Sequence, residues 1–263
     1  MWIGPLDKAV VKAFSLLEIL SQNNSPMGIT ELANEADLGK SNVHRLLQTL
    51  MTLGYVRKSN DTLYTASLKV WELGSQVISR VNVRDVARPY MQMLAEATGE
   101  TVHLSELFDN QVLYIDKIES REPVRAYTHL GGRAPAYCTA TGKAMLAYQT
   151  DEVIDAVMAG ATAHTEKTIV LPEAFLTHAS TIRAQRYAMN RGEWRKDVIG
   201  ISAPISCALG RVVSAIGLSA PASRVSEKQL KAVAPQLIEY AEKISANMGC
   251  TGSVWDALDQ PEM

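Results

Sequence analysis

The 263-residue chain is poor in several features that would assign it to a specialised class. It has three cysteines, Cys138, Cys207 and Cys250, which are odd in number, far apart and without paired metal-ligand spacing, so no disulfide framework or zinc site is expected. No run of about 18 apolar residues is present to span a membrane. The N-terminus, MWIGPLDKAV, has no charged region followed by an apolar one, as a secretion signal would. The expectation is a cytoplasmic protein with no membrane partner. Excess charge is missing too, since a net charge of −2 argues against a protein that coats nucleic acid nonspecifically. Length and a 47% hydrophobic content still suffice for one or two domains with a proper core.

The most informative stretch runs over residues 28–58. Val43, Leu46, Leu47, Leu50 and Leu53 fall at i, i+3, i+4, i+7 and i+10, one buried face of a helix. The opposite face carries Ser41, Asn42, His44, Arg45, Gln48 and Thr49, hydrogen-bonding side chains of the lengths that reach base edges and phosphates in a DNA major groove. A second helical pattern, Ile29, Leu32, Ala33 and Ala36, precedes it across the tight connection Asp37-Leu38-Gly39. Helix, short turn, helix is a DNA-reading arrangement. Charge supports it: residues 1–38 hold two basic and five acidic side chains, whereas residues 39–60 hold Lys40, Arg45, Arg57 and Lys58 and no acid.

Around this stretch, residues 6–21 form a first helix on Val10, Ala13, Phe14, Leu17 and Leu20, ended by Asn23-Asn24-Ser25-Pro26. Thr30 is expected to cap the second helix, with Glu31 in its first turn, and Gly54 to end the third. Residues 55–58 and 63–65 flank Ser59-Asn60-Asp61-Thr62, a hairpin that would be the wing of a winged helix. Its Arg57 and Lys58 would then lie near phosphates and add affinity more than specificity. Residues 67–80 read as a linker helix, with Leu68, Trp71 and Ile78 on one stripe and Val70, Leu73 and Val77 on another. Apolar on more than one side, it is a candidate dimer contact.

After a helix over about residues 83–98 ending at Gly99, the period changes to that of strands. Residues 101–108 and 112–118 flank the hairpin signal Asp109-Asn110, and residues 125–128 suggest a third strand. Helices are expected over 141–148, 151–158 and 172–186, and strands over 198–205 and 211–218 around an Ala208-Leu209-Gly210 turn. The last helix opens with a capping box, Ser226 to Gln229, and contains Pro235, which predicts a bend. The fold class is therefore α+β with a mostly antiparallel sheet.

With these residues laid out, the chain resembles the IclR family of bacterial transcription regulators from about residue 6 to 248. The resemblance rests on ITELANEADLGKSNVHRLLQTLMTLGYV (29–56), RAPAYCTATGKAMLAY (133–148), VIGISAPI (198–205) and GRVVSAIGLSAPASR (210–224), and on their order. It implies a winged helix-turn-helix DNA-binding domain (1–66), a linker helix (67–82), a GAF-like effector-binding domain (83–250) and a tail (251–263). It also implies a homodimer or dimer of dimers on a pseudo-palindromic double-stranded DNA operator, controlling a catabolic operon, with no cofactor and no catalytic activity. DNA-contacting positions would be Lys40, Ser41, Asn42, His44, Arg45, Gln48, Arg57 and Lys58.

For the small-molecule carboxylate effector, the resemblance implies Cys138, Thr139, Ala140, Thr141, Asn190, Val198, Gly200, Gly217 and Ser219. A helix N-terminus beside two threonine hydroxyls would suit a carboxylate. Asn190, Gly200 and Gly217 depart from the residues commoner in the family. The small glycines would make room for a ring, with Tyr127, Tyr137 and Trp194 as aromatic walls, so an aromatic acid is one option; glycines in strands also permit close packing. Arg125, Arg133 and Lys143 are candidates for steering an anion.

Two other readings compete. An enzyme would use Cys138 as nucleophile and His129 or His103 as base, although a lone cysteine among small residues usually packs. A protein-interaction module is the other, since such folds do not fix function, but the acid-free strip argues against it.

Overall fold

The structure is a computed structural model and describes residues 6–23, 25–60, 62–78 and 82–250, without the side chains of residues 60, 75, 77 and 78. The expectations that fall on the first five residues, Asn24, Asp61, the Val77 and Ile78 side chains, Arg80 and the tail 251–263 lie outside the described residues. The chain divides into two compact units, Met1–Arg80 and Val81–Met263, so the linker helix groups with the first.

In the first unit, α1 (Lys8–Gln22) starts after Asp7, whose carboxylate accepts from the Ala9 and Val10 amides. A two-residue strand β1 (Met27–Gly28) leads into α2 (Ile29–Glu35) and α3 (Lys40–Thr52). Then come β2 (Val56–Asn60), β3 (Leu63–Ala66) and α4 (Leu68–Ile78), with sheet order β1-β3-β2. Leu16, Leu20, Leu32, Val43, Leu47 and Tyr64 form the core between helices and wing. Burial of each such side chain contributes about 1.5–3 kcal/mol.

Two local expectations fail here, and one element was not foreseen. Thr30 does not cap α2: the helix begins at Ile29, and the cap position falls on Gly28, which has no side chain to offer and is paired with Leu63 in the sheet. Leu53 is 51% exposed rather than buried, since α3 has already ended and Gly54 takes a φ of +81° that turns the chain toward the wing. The strand β1 is too short to show any alternation in sequence.

The second unit opens with α5 (Val83–Thr98), closed by Gly99 in the left-handed conformation. It continues through β4 (Thr101–Phe108), β5 (Gln111–Ile118), β6 (Arg133–Pro135) and a 3-10 turn at Ala136–Cys138 into α6 (Ala140–Leu146). The remainder is α7 (Asp151–Met158), α8 (Pro172–Gln185), β7 (Ala188–Arg191), β8 (Val198–Ser206), β9 (Val212–Pro221) and α9 (Glu227–Asn247). The capping box at Ser226 and Gln229 is present, and α9 runs on through Pro235. Residues 125–128 do not form the expected strand. The edge of β5 is taken instead by β6, after a reversal at Gly131 and Gly132 that bonds both ways with Tyr114.

One antiparallel sheet of order β6-β5-β4-β9-β8-β7 separates two cores. Val102, Leu104, Ile199, Ile201, Ile216 and Leu218 pack against α5 and α9. Alternation sends their neighbours to the other face, where α6, α7 and α8 lie. On β4, β8 and β9 those neighbours are small or polar: Thr101, His103, Ser105, Gly200, Ser202, Gly217 and Ser219. Among the described residues, no helix is long and apolar enough to cross a membrane.

Candidate functional site

Two surfaces gather the residues that carry chemistry, one in each unit. In the first, α3 keeps Val43, Leu46, Leu47 and Leu50 inside, which forces Lys40, Ser41, His44, Arg45 and Gln48 outward into solvent. Asn42 is half-buried at the edge of this face. Thr49 turns inward along its own helix, donating to the Arg45 carbonyl, and lines an apolar groove. Arg57 and Lys58 are exposed on β2, Lys58 with its ammonium 5.6 Å from the Tyr64 ring centre. The result is a solvent-facing strip of donors and cations without a carboxylate, the surface that phosphates and base edges require.

In the second unit, a narrow cleft lies between α6, the polar face of the sheet and the coil around residues 126–128; it holds about 410 Å³ of empty space with its open mouth included, of which about 20 Å³ can take the centre of a water molecule. Six of the nine positions named from the family resemblance line it: Thr139, Ala140, Thr141, Asn190, Val198 and Ser219. Cys138 does not. It is fully buried in the neighbouring core, and burial pushes its thiol up to about 12, so it has neither the access nor the thiolate that a nucleophile needs.

Gly200 and Gly217 do not line the cavity either, and they do not make room for a ring. A Cβ on Gly200 would lie 2.7 Å from the Leu218 carbonyl oxygen, and one on Gly217 would lie 2.8 Å from that of Ile201. Both glycines are required by close strand packing. Tyr127 and Trp194 do line the cavity, whereas Tyr137 is turned away, donating to the Thr162 carbonyl and touching His164.

The remaining wall was not expected from sequence: Tyr114, Ala126, Thr128 and Arg195, together with His103, which the sequence suggested only as the base of the enzyme alternative. The available signal was on β4, where Thr101, His103 and Ser105 place polar groups at every second position of a strand whose other face is apolar. His103 sits edge-on to Tyr114, with ring centres 5.1 Å apart, and burial pulls its imidazole down to about 4. It is therefore neutral near pH 7. Burial also raises Tyr114 to about 12, opposed by the nearby Arg195 charge.

The cations expected to steer an anion are occupied elsewhere. Arg133 pairs with Asp109 and lies over the Phe108 ring, and Arg125 reaches the Glu122 carbonyl. Lys143 is wholly buried and bonds both Glu193 carboxylate oxygens, at 2.5 and 2.6 Å. Burial lowers the Lys143 pKa, and the Glu193 carboxylate opposes that shift. This buried pair ties α6 to the turn after β7. Asn190 shapes the same turn, because its Oδ1 accepts from the Gly192 and Glu193 amides. The turn then presents Trp194 and Arg195, with the guanidinium 4.6 Å from the indole centre, to the cavity.

Comparison with known proteins agrees with both halves of this description. Residues 9–59 match the model of the IclR helix-turn-helix domain, and residues 75–246 match that of the bacterial transcriptional regulator IclR C-terminal domain. The chain is 35% identical over 244 residues to the HTH-type transcriptional regulator KdgR of Escherichia coli (strain K12), covering 92% of each. It is 32% identical over 258 residues to KdgR of Dickeya chrysanthemi, covering 95% of this chain and 84% of that one. Among solved structures, an IclR transcriptional regulator of Silicibacter sp. TM1040 superposes with a TM-score of 0.76 at 26% identity, over 94% of this chain and 98% of that one. The curated relatives are named as regulators of transcription, not as enzymes. With the helix-turn-helix ahead and the cavity-bearing domain behind, the chain belongs to the IclR family of bacterial transcriptional regulators and is a DNA-binding protein with a C-terminal effector domain.

Proposed function

We propose that the chain controls a catabolic operon by binding a pseudo-palindromic operator, and that a small organic acid held in the C-terminal cavity adjusts that binding. The observation that carries the proposal is the solvent-facing strip of α3. Ser41, His44, Arg45 and Gln48 would read base edges, with Asn42 at the margin, while Lys40, Arg57 and Lys58 would meet phosphates. Thr139, Ala140, Thr141, Asn190, Val198 and Ser219, joined by His103, Tyr127, Trp194 and Arg195, would hold the acid. Arg195 supplies the cation that a carboxylate needs.

A homodimer, or a dimer of dimers, supplies the two-fold symmetry of the operator. The first unit supports this with an apolar groove lined by Val10, Phe14, Leu17, Leu53, Val70 and Leu73, and with Trp71 exposed at 72% beside it. A second copy seated on this groove would cover these side chains. Two copies would then set their reading helices about one DNA turn, or a multiple of it, apart.

Fluorescence anisotropy on DNA from upstream of the protein's own gene tests the reading. Affinity should fall steeply as salt rises, because phosphate contacts release counterions. Binding that ignores salt, or that is equal on unrelated DNA, would overturn it. The acid should change the operator affinity, since a ligand shifts an equilibrium only through unequal affinity for its two states.

A further inference from the structure

The polar groups that the cavity leaves unpaired describe what it holds. His103 is 2% exposed and its Nδ1 has no hydrogen-bond partner; Thr141 at 0% and Thr128 at 8% have unpartnered hydroxyl oxygens. All three residues line the cavity, on three separate walls: the sheet, α6 and the coil after β5. The neighbouring groups are already used. Thr139 donates to the Pro135 carbonyl and accepts from the Gly142 amide, and both acceptor sites of Asn190 Oδ1 are taken within its own turn. The Asn190 amide nitrogen is left to meet a ligand, as is the Ser219 hydroxyl on the same wall. Arg195 is the cation on the wall, and among the described residues it makes no salt bridge.

We propose that this cavity recognises a hydroxylated aliphatic carboxylate, an aldonate-like chain, rather than an aromatic acid. The proposal rests on the reading of the cavity as the effector site. One carboxylate matches one guanidinium. The neutral groups need partners that can both donate and accept, because a threonine hydroxyl does both and a neutral imidazole offers one role or the other at Nδ1 according to its tautomer. A carboxylate only accepts, and a ring edge does neither. Alcohol groups along a chain meet all three in either tautomer.

Solvent reaching such groups would hydrogen-bond with them, and a ligand that displaces water without reproducing its bonds loses affinity. That penalty falls on benzoate and not on a polyol acid. The aromatic side chains of the wall do not reverse this. Tyr114 meets His103 edge-on, Trp194 carries Arg195, and Tyr127 has the Lys117 ammonium 5.5 Å from its centre. Each is engaged with a protein partner. Asn190 helps as well: a neutral amide places no second negative charge beside the ligand's carboxylate.

Thermal-shift titrations of the full chain, with D-gluconate, D-galactonate, D-mannonate, L-gulonate, hexanoate and benzoate as probes, test the proposal. Hexanoate matches gluconate in carbon count and charge but lacks its hydroxyls. At least one aldonate should stabilise the protein in a concentration-dependent way, more than hexanoate or benzoate. His103→Phe and Thr141→Val should each weaken that aldonate by about tenfold. Neither should lower the melting temperature without ligand, because each removes an unpaired polar group and keeps the shape. The proposal is overturned if no aldonate stabilises, if benzoate or hexanoate does so more strongly than all of them, or if both variants bind the aldonate as before. Operator anisotropy on the same samples separates the two layers: binding retained and modulated by benzoate removes this proposal alone, whereas loss of specific DNA binding removes the regulatory reading beneath it.

Discussion

Arg45 and His103 are both placed by periodicity, one outward and one inward, and their consequences differ accordingly. Arg45 stands in solvent on α3 because the helix spends its other side on Val43, Leu46, Leu47 and Leu50. Arg45→Ala should weaken operator binding by about 1–3 kcal/mol in anisotropy and leave folding unchanged, if Arg45 meets a base. Equal affinity for the variant would remove that role. For His103 the quantity at stake is stability. Its imidazole titrates at about 4 in the folded chain against an ordinary 6.5, so between these values the unfolded chain binds the extra proton. Stability contributed by neutral His103 is complete above pH 6.5 and declines as pH falls toward 4, by about 3 kcal/mol in all. His178, also lowered to about 4 by burial and by the Lys143 and Arg191 charges, acts in the same direction. Urea unfolding at about pH 7 and about pH 4.5 should show the loss, and His103→Phe should reduce it. A variant as acid-sensitive as the parent would refute the assignment.

At the scale of elements, long periodic segments declared themselves and short ones did not. The helices α1, α3, α5, α7 and α9 follow from the spacing of their apolar residues, and the β4–β5 hairpin from Asp109-Asn110, both of which take positive φ. The strands β1, β6 and β7 hold two, three and four residues, too few for alternation to be visible. Residues 125–128 alternate like a strand, but the β5 edge they would join belongs to β6. The solvent-facing polar strip was readable because one helix, α3, carries nearly all of it. The cavity was readable only in part, because His103, Thr128 and Arg195 converge through strand register and a coil that no local pattern encodes. The junction into α6 gives a sharper test. A Cβ on Gly142 would lie 2.2 Å from the Ala136 carbonyl oxygen and 2.5 Å from its Cα, both backbone atoms that cannot yield cheaply. Gly142→Ala should destabilise the effector domain by about 1–3 kcal/mol or more and weaken ligand stabilisation. A melting temperature equal to that of the parent would mean the turn can relax.

For the molecule as a whole, the exposed apolar side chains of the first unit, Phe14, Trp71 and Leu73, are the surface through which the proposed dimer would form. Trp71→Glu should shift the protein toward smaller species in sedimentation and reduce operator affinity without altering the fold of the second unit; an unchanged mass would place the subunit contact elsewhere. The sheet of the second unit has a different consequence. Because it partitions two cores, a ligand on the α6 face touches only one of them. Amide hydrogen exchange should therefore resolve two populations. Amides of α6, α7 and α8 should slow in proportion to bound acid, while those of α5, α9 and the central strands, governed by global unfolding, gain protection only through the added overall stability. The effector domain would thus register its ligand as a change in local opening frequency on one side of a stationary partition.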